Sequence, residues 1–501
     1  MITLATMLVA SVALPQQPFD VDPNFRTQLK DQSVTYVAEL STGELLLSGN
    51  MRYDGDLFPR YRTKLSSNGS EVFDYPGGSG GGKLTAWTDK FYIGGSGVRR
   101  LDSFGITDTT FISLNSGPYF FSLQTGDYHV FPDGRLLISG LNRLEDTLRG
   151  FDGYYSMIWI TNQGYVDTTR VHRQADGVIG RFKELPDGKF ICYGGISEYE
   201  GTPVSLIFRI EADGTLDTTF NVPPMDLGIA YTYYPTADGK VIVGGFFHFV
   251  NAPDTINLIR LLPNGLLDTT FNSNTDYTAN NGQQYYYSAV TCILPIGNNR
   301  LIITGGFAEI EGQERGGIAM LDTAGNLVDD YFTGNGCGAF TYFPSVDTSI
   351  NFTYRSIGKI IPSADGSYYI NGSYYGYDDG TTNDTLQRFV SRLYGLNVGI
   401  NELDKFKPKP LTIAPNPTAG SALLSVETPL QNAQLTLHDA SGRVVLQVAW
   451  PAGSSQCVLP AGAVVPGAYV ATVASSATAT GASATVGTNT TLYTGRLVVL
   501  P

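Results

Sequence analysis

The sequence predicts an all-β protein, and three observations carry the prediction. Only 16% of the 501 residues are charged. The chain holds 58 Gly, 26 Pro, 30 Tyr and 26 Phe, a composition of turns and β-favouring aromatics with too few helix formers in series for a bundle. One turn-strand pattern recurs along most of the chain. A hydrophobic content of 42% supplies sizeable cores and excludes a disordered chain. The net charge of -14 excludes non-specific binding to nucleic acid or anionic membranes, because holding phosphates needs clustered Lys and Arg. Charge is also uneven: residues 1–400 carry 27 basic and 42 acidic groups, whereas 411–501 carry two of each. The shift marks a boundary near residue 405, and 401–410, with Lys405-Phe406-Lys407-Pro408-Lys409-Pro410, reads as a stiff linker.

Residues 1–13 read as a signal peptide. Residues 2–14 form a short apolar run ending in Ser11-Val12-Ala13, small residues where a signal peptidase reads, so cleavage is expected after Ala13. The run is too short to span a bilayer, and no later stretch reaches 18 uninterrupted apolar residues, so no transmembrane segment is expected. Cys192, Cys292, Cys337 and Cys457 lie far apart and form no Cys-x-x-Cys pair, which supports neither a zinc site nor a dense disulfide framework.

The repeat decides the fold of residues 14–400. With Gly43, Asp89, Gly134, Gly188, Gly239, Asn299 and Gly366 as the turn position, three apolar residues occupy the second to fourth places after it. Glycine stands six places after it each time: Gly49, Gly95, Gly140, Gly194, Gly245, Gly305 and Gly372. Asp-Gly pairs at these turns predict tight hairpins with positive φ at both central positions. Unbroken apolar triplets predict strands buried on both faces. A second element follows, with an apolar residue four before a glycine and an aspartate three after it, as in Ile210, Gly214 and Asp217. Six units hold both elements. Asp22-Pro23-Asn24-Phe25 opens the chain with a closing half, and Phe389-Val390-Ser391-Arg392-Leu393 ends the repeats with an opening half. Joining the two halves predicts a seven-bladed β-propeller closed by its N-terminal strand, a solution that removes exposed sheet edges. The turn positions are 46, 45, 54, 51, 60 and 67 residues apart, so the later units carry insertions.

Gly305-Gly306-Phe307 through Ile318-Ala319-Met320-Leu321, and Gly244-Gly245-Phe246 through Asp268-Thr269-Thr270-Phe271, resemble the delta-60 repeat of bacteria. The resemblance covers roughly residues 20–395 and implies a β-propeller with no assigned chemistry.

Residues 411–501 alternate apolar and small polar residues between turn signals, the pattern of a small immunoglobulin-like β-sandwich. Pro415-Asn416-Pro417, Gly442-Arg443, Gly467-Ala468-Tyr469 and a terminal Arg496-Leu497-Val498-Val499-Leu500 resemble the type A sorting domain of the type IX secretion system. That resemblance implies Sec export, passage across the outer membrane, and partnership with the secretion machinery and a sortase-like protease that removes the domain. A secreted or cell-surface protein is the expected outcome.

Motifs for chemistry are sparse. His129, His172, His248 and His438 are scattered, with no His-x-x-x-His pair, nucleophile elbow or phosphate loop, so neither a metal nor a cofactor is expected. Asp54 with Asp56, Glu309 with Glu311, and Asp378 with Asp379 read as carboxylates that bind turn amides. The recurrent Asp-Thr-Thr-Phe reads as a side-chain turn cap with the Phe packed between blades, in preference to a calcium loop. Tyr154, Tyr155, Tyr285, Tyr286, Tyr287, Tyr374, Tyr375 and Tyr377 are the candidate ligand-binding residues, as tyrosines placed on loops. The function expected is a binding module for glycan or protein, in an acidic field that disfavours anionic ligands. The alternatives are a polysaccharide- or peptide-degrading enzyme on the same scaffold, or a structural adhesin.

Overall fold

The computed structural model describes residues 16–75, 81–95, 97–112, 120–279, 288–343, 352–396, 409–439, 443–476 and 490–500. The signal peptide read at 1–13 lies outside them, as do Tyr285, Tyr286, Tyr287 and Gly442. The chain forms two compact units, Gln16–Leu396 and the described part of Asn397–Pro501. Among the described residues there is no α-helix, hence no helix long and apolar enough to cross a membrane.

In the first unit, antiparallel meanders follow one another along the chain. Their leading strands are Asp31–Glu39, Leu84–Trp87, Phe120–Val130, Val178–Glu184, Met225–Pro235, Val290–Ile296 and Ser356–Pro362. Each pairs with the strand that carries the apolar triplet, so the hairpin turn of the repeat joins them. Positive φ falls on the glycine alone at Gly43, Gly134, Gly188, Gly239 and Gly366, at 78–86°, and the residue before it stays in the ordinary region. These hairpins are therefore longer turns with a left-handed glycine at the end, a correction to the two-residue turn expected from Asp-Gly. Asn298 and Asn299, at 62° and 56°, do adopt the paired positive φ.

Burial on both faces of the triplet strand has a simple cause: one apolar cluster fills each gap between successive sheets. Leu46 packs toward the second sheet with Leu84, Phe91 and Ile93, while Leu45 and Leu47 pack the other way with Tyr369, Phe389 and Val390 of the last sheet. The same division separates Leu137 from Leu136 and Ile138, and Ile242 from Val241 and Val243. Each such leucine, fully withdrawn from water, contributes roughly 1.5–3 kcal/mol.

The Asp-Thr-Thr-Phe segments are latches between neighbouring sheets. Oδ1 of Asp108, Asp217 and Asp268 accepts the backbone N–H and hydroxyl of Thr110, Thr219 and Thr270 at 2.5–3.0 Å. Oδ2 accepts Nε of Arg100, Arg209 and Arg260 at 2.7–2.8 Å, and Nζ of Lys90, Lys189 and Lys240 at 2.7–3.0 Å. The three guanidinium groups lie 4.5–5.0 Å above the rings of Phe111, Phe220 and Phe271. Arg100 and Arg260 reach on to carbonyls of the next sheet, Asn162 at 2.6 Å and Thr323 at 2.8 Å. Burial works against the three carboxylates, but the hydrogen bonds from Lys, Thr and Arg prevail and hold each below the usual carboxylate range. The third sheet departs from the scheme: Asp167 keeps its bonds to Thr169, but Trp159 takes the place of the arginine and stacks on His172.

The N-terminal segment supplies this latch to the last sheet. Asp22 N–H donates to Arg392 O at 2.8 Å, as Asp217 N–H does to Arg209 O at 2.9 Å, and Val21 bridges Leu393 as Leu216 bridges Ile210. Asp22 Oδ2 lies 2.7 Å from the Arg392 guanidinium, and Phe25, fully buried, packs 5.5 Å from the Tyr369 ring. Arg26 N–H then donates to Asn68 O of the first sheet at 2.9 Å, matching the bond from Asn221 to Asn264.

The second unit holds two sheets around one core. Lys409–Pro410, Thr490–Val499, Gly467–Ser476, Ala433–His438 and Val444–Ala449 form one; Thr412–Ala414, Ala422–Leu430 and Ser454–Leu459 form the other. Leu424, Leu435, Leu437, Trp450, Tyr493 and Leu497 fill the space between. Lys409–Pro410, placed by composition in the linker, pair with Tyr493 and Thr494 and so belong to this unit.

Candidate functional site

The residues that open onto the centre of the first unit are placed there by a repeated irregularity. Opposite the glycine six places after the turn, the leading strand bulges, between Val34 and Tyr36, Thr125 and Tyr128, Ile179 and Arg181, Ala230 and Thr232, Val290 and Cys292, and Ile357 and Lys359. A bulge brings a backbone carbonyl down onto its partner strand. A Cβ at Gly49, Gly140, Gly194, Gly245, Gly305 or Gly372 would stand 2.0–2.8 Å from that carbonyl oxygen, which is why the position is glycine. The bulged residue, or the one after it, turns inward.

Six of the leading strands, with Gly82, Lys83, Gly94 and Gly95 flanking the strands of the second sheet, line a cavity of about 530 Å³. Thr35, Tyr36, Lys83, Asp127, Arg181, Tyr231, Thr291 and Lys359 line it, with Tyr128 beneath. Lys83 Nζ lies 3.0 Å from Asp127 Oδ1, donates to Tyr128 O at 2.7 Å, and sits 4.9 Å from the Tyr128 ring centre. The Tyr128 hydroxyl is spent on Lys83 O and Tyr92 O, at 2.8 and 2.9 Å, and burial pushes its titration well up. Across the cavity Lys359 Nζ donates to Thr291 O at 3.1 Å and lies 5.6 Å from the Tyr36 ring. Thr291 Oγ1 donates to Gly358 O at 3.0 Å. Arg181 is exposed to the cavity and its guanidinium donates to the carbonyl of Gly180 at 2.9 Å. Burial raises the Tyr231 hydroxyl, with the charge of Arg181 pulling the other way. One carboxylate, Asp127, lines the cavity among the described residues, so the wall is a set of hydroxyl, ammonium and guanidinium donors suited to holding a polar ligand.

The tyrosines expected on loops are distributed otherwise. Tyr374 and Tyr377 are buried within the strand Tyr368–Asp378, and the Tyr374 hydroxyl meets Ser391 Oγ at 2.8 Å, so neither presents a face to a ligand. The reason is that this strand runs on past the repeat's length, pairing with Gly336–Cys337 and with Asn383–Leu393, which turns an apparent loop into sheet. Tyr375 is half-buried against Phe340 and Phe389, with its hydroxyl on Lys30 O. Tyr154 and Tyr155 extend the strand Phe151–Ile160; Tyr155 meets His172 edge-on, and Tyr154 is exposed with Arg143 5.5 Å from its ring centre. The structure brings none of these into the cavity.

The carboxylate pairs serve turns and ion pairs. Asp54 meets Lys30 at 2.7 Å and Asp56 meets Arg60 at 2.7 Å; Asp379 accepts the Val21 N–H at 2.8 Å, and Asp378 the Gly380 N–H at 2.9 Å. In the second unit Asn416 clamps the last strand, donating to Arg496 O at 2.6 Å and accepting from Val498 N–H at 2.9 Å, between Pro415 and Pro417. Arg443 is exposed beside Asp439, and Tyr469, next to Gly467 in the sheet, donates its hydroxyl to Val465 O at 2.6 Å.

Sequence reasoning missed the cavity, although a signal was present. Thr35, Gly126, Gly180, Tyr231, Thr291 and Gly358 each stand fourteen residues before the repeat's glycine. Counting back from that glycine reaches Thr35, Gly126, Tyr231, Thr291 and Gly358 of the wall, and the position after these holds Tyr36, Asp127, Arg181 and Lys359 in four of the sheets.

A family model described as "Domain of unknown function (DUF5122) beta-propeller" matches residues 185–220 and 236–271. The chain is a β-propeller protein. Each match runs from the hairpin turn to the latch phenylalanine, Phe220 and Phe271. No protein of curated function matches the sequence. Among solved structures the propeller is similar to PorZ, a bacterial surface component of the type IX secretion system of Porphyromonas gingivalis, at 12% identity and a TM-score of 0.33, covering 98% of this chain and 61% of that one. An extracellular domain from B. thetaiotaomicron is similar at 9% identity and a TM-score of 0.40, covering 97% and 59%. BamB from Moraxella catarrhalis is similar at 10% identity and 0.32, covering 75% and 97%. The chain thus spans about three fifths of the length of the first two.

Proposed function

We propose that this protein is an exported seven-bladed β-propeller acting as a binding module for a glycan or protein at the cell surface or outside the cell. Residues 411–501 are, in this reading, the immunoglobulin-like type A sorting domain that delivers it by type IX secretion and is then removed. The observation that carries the binding role is the cavity at the meeting point of the leading strands, walled by tyrosine, hydroxyl and cationic groups that fold stability does not require to converge. Seven successive sheets, a cluster joining the last to the first, and the Asp22–Arg392 latch support the blade count and its closure. The sorting role rests on the motif order in the sequence, with Asn416 and Tyr469 serving the unit's own sheets.

The test is affinity electrophoresis of the full-length protein through gels carrying a panel of polysaccharides, each gel then assayed for released reducing ends. Retardation without release is expected, and Tyr231→Ala abolishes it while Tyr154→Ala does not. Release would replace the binding module with the degrading enzyme, and no retardation on any gel would remove glycans as the ligand.

A further inference from the structure

We propose that the central cavity selects an acidic saccharide, a sugar of one or two rings bearing a carboxylate, with Arg181 and Lys359 as the groups that hold its charge. The inference rests on the binding reading above and narrows the ligand. Three cations, Lys83, Arg181 and Lys359, face one carboxylate, Asp127, inside a repeat region whose acidic residues outnumber its basic ones 42 to 27. The charge inside the cavity therefore opposes that of the protein around it. Lys83 is committed to Asp127 at 3.0 Å. Among the described residues no carboxylate pairs with Arg181 or Lys359; their bonds go to carbonyl oxygens, of Gly180 at 2.9 Å and Thr291 at 3.1 Å.

By contrast, Arg100, Arg209, Arg260 and Arg392 in the same unit each meet an aspartate at 2.7–2.8 Å. Arg181 and Lys359 repel each other across the cavity, where Asp127 is the one carboxylate among the described residues, and an incoming anion placed between them relieves that repulsion. A guanidinium takes a carboxylate through two parallel N–H bonds, and an ammonium adds a point charge. The remainder of the wall argues for a sugar over a bare ion. The half-buried Tyr36 and Tyr231 and the exposed Thr35 and Thr125 line the space, and about 530 Å³ is far more than one inorganic anion fills. An acidic exterior slows the approach of an anion, so the selectivity belongs to the cavity and not to long-range steering.

Titration calorimetry on the full-length protein with D-glucuronate, D-glucose and acetate tests this directly. Glucuronate should bind at least about tenfold more tightly than either, each of Arg181→Gln and Lys359→Gln should weaken it about fivefold or more, and raising salt from about 0.05 to 0.5 M should weaken it further. Arg181→Lys should recover part of the loss, and since Arg181 is exposed and makes no ion pair, its variants keep the wild-type melting temperature. Equal binding of glucose and glucuronate would overturn the acidic selectivity and leave the binding module standing. Acetate as tight as glucuronate would overturn the saccharide. Binding of none of the three to a protein that gels containing neutral polysaccharides retard would overturn this inference alone, whereas silence in both experiments would remove the glycan-binding reading with it.

Discussion

If the N-terminal segment is a true member of the repeat, replacing Phe25 should cost what replacing an interior latch phenylalanine costs. Phe25 is fully buried in a cluster with Leu29, Val390 and Tyr369. Truncating such a ring to alanine removes its transfer free energy and leaves a hole, about 3–5 kcal/mol in all. The unit Gln16–Leu396 has an unfolding entropy near 0.8 kcal/mol/K, from about 2.1 cal/mol/K per residue, so Phe25→Ala should lower its melting temperature by roughly 4–6 °C. Phe220→Ala, at the same latch position of the fourth sheet, should fall within about a degree of it. Leu148→Ala, at a residue 95% exposed, should not move the transition. Differential scanning calorimetry of the three variants decides the matter. A shift below about 1 °C for Phe25→Ala beside a full shift for Phe220→Ala would refute closure by the N-terminal segment.

Three more outcomes can be checked. Because Asp108, Asp217 and Asp268 titrate lower folded than unfolded, the folded chain binds fewer protons in that range. Their stabilisation is complete above the ordinary carboxylate value near 4 and falls away as pH drops toward the folded values, so the triple Asp→Asn variant should show a flatter melting-temperature profile from pH 7 to 3 than the parent, about 4 being the point where they diverge in slope. Gly245→Ala would set a Cβ 2.0 Å from Ile229 O and should destabilise by about 1–3 kcal/mol in urea titration, whereas Gly195→Ala, with open space at its Cβ, should stay within about 0.5 kcal/mol. The sorting proposal predicts that the surface form, read by mass spectrometry, ends near residue 405; intact Pro501 on the mature surface protein would contradict it.

The repeat was legible because both of its signals answer to steric necessity. Gly245 and its counterparts recur since a carbonyl lies where a side chain would be, and the Asp-Thr-Thr-Phe of residues 217–220 recurs since one aspartate must serve a turn and two cations at once. The N-terminal segment could be matched to the last unit for the same reason, although Asp22-Pro23-Asn24-Phe25 keeps only the Asp and Phe of the pattern. The cavity was not legible from residue type. Its wall takes one to four residues per leading strand, and equivalent positions hold residues as unlike as Thr35, Gly126, Tyr231, Thr291 and Gly358, or Tyr36, Asp127, Arg181 and Lys359, which share a location and no chemistry. Tyr374 and Tyr377 were not legible as strand residues because adjacent aromatics after a strand look like a loop, whereas they continue a long strand whose partners come from distant segments.

The latch at Asp22 also governs where load enters the molecule. Phe19 N–H donates to Tyr394 O, and Tyr394 N–H to Asp20 O, so the two ends of the first unit leave from one seam. A pull on either end acts on bonds at that seam before it reaches any covalently continuous hairpin. A short connector from residue 396 to residue 16 would convert the seam into an ordinary turn, and new ends could then be cut at any exposed hairpin, such as Asp187-Gly188, relocating the mechanically weakest point without touching a single core residue.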